Sequence, residues 1–257
     1  MNWYAHEDGQ PGLTGGGFAE FQTAIAAWND DPDSKIAYVY AGTTTTTNGF
    51  TTQDTVNAIL FDDPNDDAPG AFSCPYPGTG EGVLAVGGTW IDDSTTPARI
   101  VNADIVTNNG IACFLDDSIG GKKAEQLFAH ELGHTLGIGH SCDDSRSGSC
   151  TSPTLNQAIM RATFHDDARG AALNSDDRTA AFYLYGIPPA PRDFFTLTPC
   201  RLLDTRSPDG PYGGPVLYVE QTRTFSAAGQ CGIPSTAVAL SVNVTAVTPS
   251  SSGYLTL

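Results

Sequence analysis

Three of the chain's five histidines, a glutamate and three glycines fall within eleven residues, in the segment HELGHTLGIGH that runs from His130 to His140. On a helix of about 3.6 residues per turn, His130 and His134 project from one face, close enough to grip a single ion. Glu131 lies about a third of a turn away. That is near enough to take a proton from a water at the ion without being drawn in as a ligand. Gly137 can take a positive φ at little cost, so the chain can leave the helix sharply and bring His140 to a third ligand position. Three neutral imidazoles leave the fourth position of a zinc ion open, which suits hydrolysis rather than a closed structural site. A bare H-E-x-x-H arises by chance on many helices, but with Gly137 and His140 at their offsets the pattern is far more specific. The remaining histidines, His6 and His165, read as solvated loop residues, with His165 a minor candidate near the cleft.

The elements that must position this segment can be read from periodicity. A helix is predicted over residues 122–136, with Ala124, Leu127, Phe128, Glu131 and Leu132 in register and a stop near Gly137. Phe18, Phe21, Ile25 and Trp28 recur at three or four and predict a first helix over 18–28. Short β-branched runs bounded by Gly, Asp or Asn predict strands around 36–40, 56–61, 83–90 and 100–106. The threonine run 43–47 reads as an exposed extended stretch. A last helix is expected over 176–185, with Ser175 as N-cap, Asp176 and Asp177 complementing the macrodipole, and Gly186 ending it. Residues 188–193 then form a Pro-rich linker between a unit at 1–187 and one at 194–257. The second unit, with its β-branched runs and PDGPYGGP turn chemistry, is expected to be all-β.

The chain has 257 residues, 40% of them apolar, enough for one large and one small domain. Its 29 acidic against 12 basic side chains give a formal net charge of -17. Such a charge repels phosphate backbones and anionic membranes, so nucleic acid is not an expected partner. No run of about 18 apolar residues offers a membrane span. Six cysteines without a C-x-x-C pair point to disulfides and an oxidising compartment. Cys142 with Cys150 and Cys200 with Cys231 would each close a short segment inside one unit, leaving Cys74 with Cys113, although six cysteines allow about 15 connectivities. The start MNWYAHEDGQPG has no apolar signal core and the other end stops inside the strand-like GYLTL, so both ends are expected to be cut.

On the residues His130 to Ser141 the sequence resembles the metzincin clan of zinc peptidases, and within it the matrixin-like branch, where the third His is followed by Ser. Met160 in NQAIMRA lies where the clan has its Met-turn, a tight turn whose methionine forms an apolar floor under the metal. LNSDDRTAAFYLYG resembles the closing helix, whose Asp pair packs against the Met-turn, and ADIVTN resembles the strand leading to the active-site helix. The resemblance covers residues 1–187. It implies an α+β catalytic domain, a twisted mixed sheet over the active-site helix, and zinc-dependent hydrolysis of internal peptide bonds in protein or peptide substrates. An extended substrate would lie along an edge strand near 83–90. Two family features are missing: position 162 is Ala, so no tyrosine role transfers, and there is no Pro-Arg-Cys-Gly switch. Asp62, Asp63, Asp66 and Asp67, and Asp116 with Asp117, are acidic enough for the structural calcium of many relatives but lack loop spacing for it, and solvated loops are the preferred reading.

The second unit, with TPCRLLDTRSPDGPYGG and VALSVNVTAV, resembles a β-rich appendage of secreted bacterial proteins, with a surface or polymer as its expected partner. There Arg201, Asp204 and Arg206 are expected to form an ion-pair network that fixes strand register. The functional alternative is a zinc-stabilised extracellular binding or adhesion module without turnover, in which the fourth zinc position would be closed by a protein ligand.

Overall fold

The computed structural model describes residues 1–75, 80–115, 121–165, 167–186, 195–219, 221–250 and 252. The chain forms two compact units, Met1–Pro189 and Ala190–Leu257, and the expected linker, 188–193, lies outside the described residues apart from this division.

In the first unit the order is β1 (Asn2–His6), α1 (Phe18–Asn29), β2 (Val39–Thr44), β3 (Asn57–Leu60), β4 (Ala85–Asp92), β5 (Arg99–Thr107), a 3-10 turn at Ile111–Cys113, α2 (Lys122–Thr135), α3 (Pro153–Asn156) and α4 (Ser175–Tyr185). The five strands make one mixed sheet in the order β2-β1-β3-β5-β4, parallel except for β4, which pairs antiparallel with β5 at the edge. Strand β1, which periodicity did not predict, sits inside the sheet. It alternates, so that Trp3 and Ala5 are fully buried. Beside the short strand β3, side chains of β5 and β3 add bonds to the ladder. Asp104 Oδ1 accepts from the Ala58 N–H at 3.0 Å, Asn102 Nδ2 donates to the Val56 carbonyl at 3.0 Å, and Asn57 Oδ1 accepts from the Ala103 N–H at 3.0 Å. These bonds meet backbone groups that would otherwise be buried without a partner.

The helices pack on the sheet by their apolar stripes. In α1 the predicted residues Phe21, Ile25 and Trp28 are buried, joined by Ala24, as a core-facing stripe with a spacing of three and four requires. Trp28 Nε1 donates to the Ala129 carbonyl of α2 at 2.9 Å, and the Tyr38 hydroxyl meets Thr135 Oγ1 at 2.9 Å. Edge-to-face contacts of Phe21 with Trp3, 5.9 Å between centroids, and with Phe128, 6.0 Å, join β1, α1 and α2. Two boundaries differ from expectation. The second strand begins at Val39 and takes in Thr43 and Thr44 of the threonine run, because β1 offers them a parallel partner. The last helix is capped by Asn174 rather than Ser175: Asn174 accepts from the Asp176 and Asp177 N–H groups while Asp177 accepts from the Asn174 N–H, a reciprocal capping box.

In the second unit no strand occurs among the described residues, which hold turns and one isolated bridge between Asp209 and Gly214. The expected ion-pair network is present, but it braces a turn. Asp204 takes Arg201 and Arg206 at 2.7 Å each, and Arg223 donates to the carbonyls of Gly210, Gly213 and Pro215. The valines and leucine of the alternating 238–247 stretch stand exposed. Alternation assigns side chains to faces but supplies no partner strand to pair with.

All six cysteines are bonded, Cys74 to Cys113, Cys142 to Cys150 and Cys200 to Cys231. Among the described residues no helix is long and apolar enough to cross a membrane.

Candidate active site

Helix α2 carries the site and is buried along most of its length, with Ala124, Leu127, Phe128 and Leu132 in the core. Its end is built as the sequence suggests. Gly137 has φ of 82° with open space where a Cβ would stand, so the left-handed turn, rather than crowding, is what glycine eases here. The Ile138 N–H donates back to the Gly133 carbonyl at 3.1 Å, closing the helix and turning the chain toward His140.

The three histidines converge. Nε2 of His134 lies 3.1 Å from Nε2 of His130 and 3.2 Å from Nε2 of His140. The other ring nitrogens have partners of their own: His130 Nδ1 faces the Ile159 carbonyl at 2.7 Å and His134 Nδ1 the Ile138 carbonyl at 2.9 Å. A carbonyl can only accept, so both Nδ1 atoms carry the proton and both Nε2 atoms present lone pairs. Lone pairs facing each other at such distances are repulsive unless a cation sits among them, so the donor set fits a metal ion. Loss of solvation and the neighbouring His134 push His130 down to about 3, and burial also lowers His134, which keeps both rings neutral. Among the described residues, these three are the one group of three or more His, Cys, Asp or Glu side chains so convergent, their ligand atoms within 4.8 Å of one another.

Glu131 is not part of that group. It is 4% exposed and its Oε2 has no hydrogen-bond partner. Burial pushes its carboxyl up to about 8, with the nearby N–H of Gly87 acting the other way. The approach of β4 explains the glycine: a Cβ at Gly87 would stand 2.5 Å from the Glu131 carbonyl oxygen and 3.1 Å from Oε2. Edge strand and glutamate can therefore meet only at a residue without a side chain.

Met160 is fully buried, and its turn is held from two sides. Asp177, also fully buried, accepts from the Ile159 N–H and the Met160 N–H at 3.0 Å each, so the aspartate at the start of α4 secures the turn. Ser141 Oγ donates to Asp176 Oδ2 at 2.5 Å, tying the residue after the third histidine to the same helix. From above, Gly133 of α2 admits the thioether: a Cβ there would overlap Met160 Sδ and stand 2.9 Å from Trp28 Cζ2. Gly133→Ala is expected to lower the unfolding free energy by about 1–3 kcal/mol through overpacking. Urea unfolding of the metal-free chain checks this, and an unchanged midpoint would show that the methionine floor yields without cost.

Sequence reasoning passed over Gly87 and Gly133, since a glycine in a strand or helix pattern does not announce what approaches it. His165 was misread: it is 7% exposed, with Nε2 3.0 Å from the Ala158 carbonyl, a buried structural histidine rather than a solvated one. His6 ends β1, half-buried beside Asp8. Of the acidic runs, Asp116 and Asp117 lie outside the described residues. Asp63 is buried and accepts from the Asp67 and Ala68 N–H groups at 2.8 Å each, and Asp67 accepts from the Phe50 N–H. These carboxylates hold their own loop.

A five-stranded mixed sheet, a buried helix carrying two histidines and a glycine turn to a third together define a metzincin-like zinc metallopeptidase. The sequence matches the family model of metallo-peptidase family M12 over residues 18–171, and the chain belongs to that family. It is thus a zinc metalloendopeptidase, a hydrolase whose substrates are proteins or peptides. No curated protein matches the chain.

Proposed function

We propose that His130, His134 and His140 hold the catalytic zinc and that Glu131 is the general base for hydrolysis of internal peptide bonds. The observation that carries this reading is the convergence of three imidazole nitrogens with no fourth His, Cys, Asp or Glu donor beside them among the described residues. An adhesion module with structural zinc would fill that position. When bound, zinc supplies Lewis acidity toward the scissile carbonyl and the attacking water. Glu131, on the same helix and walled by Gly87, takes a proton from that water and returns it to the leaving amine. Strand β4 has a neighbour on one side only, so its outer backbone groups can pair with an extended substrate and align the scissile bond. Gly137 and Met160 serve the site structurally, the first by its turn and the second as a floor.

The reading includes action outside the cell. Support comes from three disulfides, two of them within the site's own unit, which persist best in an oxidising medium. Cleavage of a quenched peptide library tests the activity. Turnover is expected in the zinc-loaded chain, abolished by a chelator and restored by added zinc, with cuts at internal bonds. A zinc-loaded chain that binds the library without cutting it would favour the binding module.

A further inference from the structure

The three histidines are not held alike. His130 and His134 lean on backbone carbonyls, whereas His140, beyond the helix, presents Nδ1 to the side chain of Asp144 at 2.6 Å. That carboxylate is itself anchored. Its Oδ1 accepts from the Arg146 N–H at 2.8 Å, the Ser147 N–H at 2.6 Å and the Ser147 hydroxyl at 2.7 Å. With Oδ1 turned to these loop donors, Oδ2 is the oxygen left to face His140. The loop around it is closed by Cys142–Cys150 and by paired backbone bonds between Asp143 or Asp144 and Gly148. Cys142 is fully buried and its carbonyl accepts from the Ala162 N–H, so the loop is fixed at its base to the segment after the methionine floor.

We propose that Asp144 is a positioning residue for the metal centre: its carboxylate sets the tautomer and ring plane of His140, and the Cys142–Cys150 loop holds that carboxylate in place. An acceptor at Nδ1 commits the proton to that nitrogen and leaves Nε2 as a lone pair aimed at the other two rings. The chain needs such a device at His140 because this residue lacks the helix that orients the other two. The inference rests on His140 being a ligand, the reading given above.

The test is competition for zinc between the full chain and a chromophoric chelator, with thermal unfolding of the metal-free proteins alongside. Asp144→Asn keeps one oxygen for the loop N–H groups but cannot offer His140 the same anion. It is expected to weaken zinc binding about 10- to 100-fold while leaving the metal-free unfolding midpoint near wild type. A Cys142→Ser, Cys150→Ser chain is expected to weaken zinc in the same direction. Combining it with Asp144→Asn should then give less than the product of the two effects, as residues acting through one contact do. Wild-type zinc affinity in Asp144→Asn would overturn the proposal, and so would full multiplicativity in the combined chain. His140→Ala serves as the separate control: undiminished affinity there would overturn the ligand assignment itself, whatever Asp144 does.

Discussion

A Glu131→Gln chain is expected to carry its full complement of zinc and to lose about 100- to 10,000-fold in kcat/KM, the range that a positioned general base contributes. The substitution keeps the shape of the side chain, which matters where Gly87 leaves no slack around the carboxylate. It removes only the basicity. The imidazoles are positioned by contacts that do not involve Glu131, namely the Ile159 and Ile138 carbonyls and Asp144, so the metal site should persist. Zinc per chain, measured by atomic spectroscopy, and hydrolysis of a quenched peptide provide the two readouts. Full activity would remove Glu131 from the base role, and loss of zinc would show that it helps to hold the metal.

His134→Ala is expected to do the opposite, abolishing zinc binding and activity together. His134 is the middle of the triad, with its Nε2 within 3.2 Å of both of the others, so its loss leaves two donors separated by a gap. Stability gives an independent measure. A ligand that binds only the folded chain raises its unfolding free energy by about 2.7 kcal/mol at a hundred times Kd. Wild type should therefore gain stability as zinc is titrated, and His134→Ala should not. A zinc-dependent rise of wild-type size in that variant would mean that the ion is held elsewhere.

What could be read in advance was what local spacing determines. The helical register of 122–136, the glycine stop and the offset of His140 place three imidazole nitrogens with little help from distant residues, and the structure brings them together. The core stripe of α1 was legible for the same reason. Strand β1 was not, because five residues, NWYAH, alternate too briefly to signal a strand, and its burial depends on β2 and β3 arriving at either side. Asp144 was hidden by its neighbours: CDDSRSGSC has the composition of a solvated loop, and only the fold shows one of its aspartates turned back to a histidine. His165 illustrates the converse error, since a histidine in a polar stretch can still be enclosed when its ring finds a carbonyl. The second unit marks a different boundary. Its turn chemistry and ion pairs were legible because they are local, whereas strand pairing there has no local determinant.

The Cys74–Cys113 bridge spans β4 and β5 and so encloses the edge strand proposed to pair with substrates. A peptidase at high concentration is exposed to its own kind, and a nick anywhere between those cysteines leaves both pieces covalently joined and the sheet's strands still hydrogen-bonded across the cut. The same holds on a smaller scale between Cys142 and Cys150, beside His140. Molecules nicked in this way would migrate as intact chains until a reductant separates the halves.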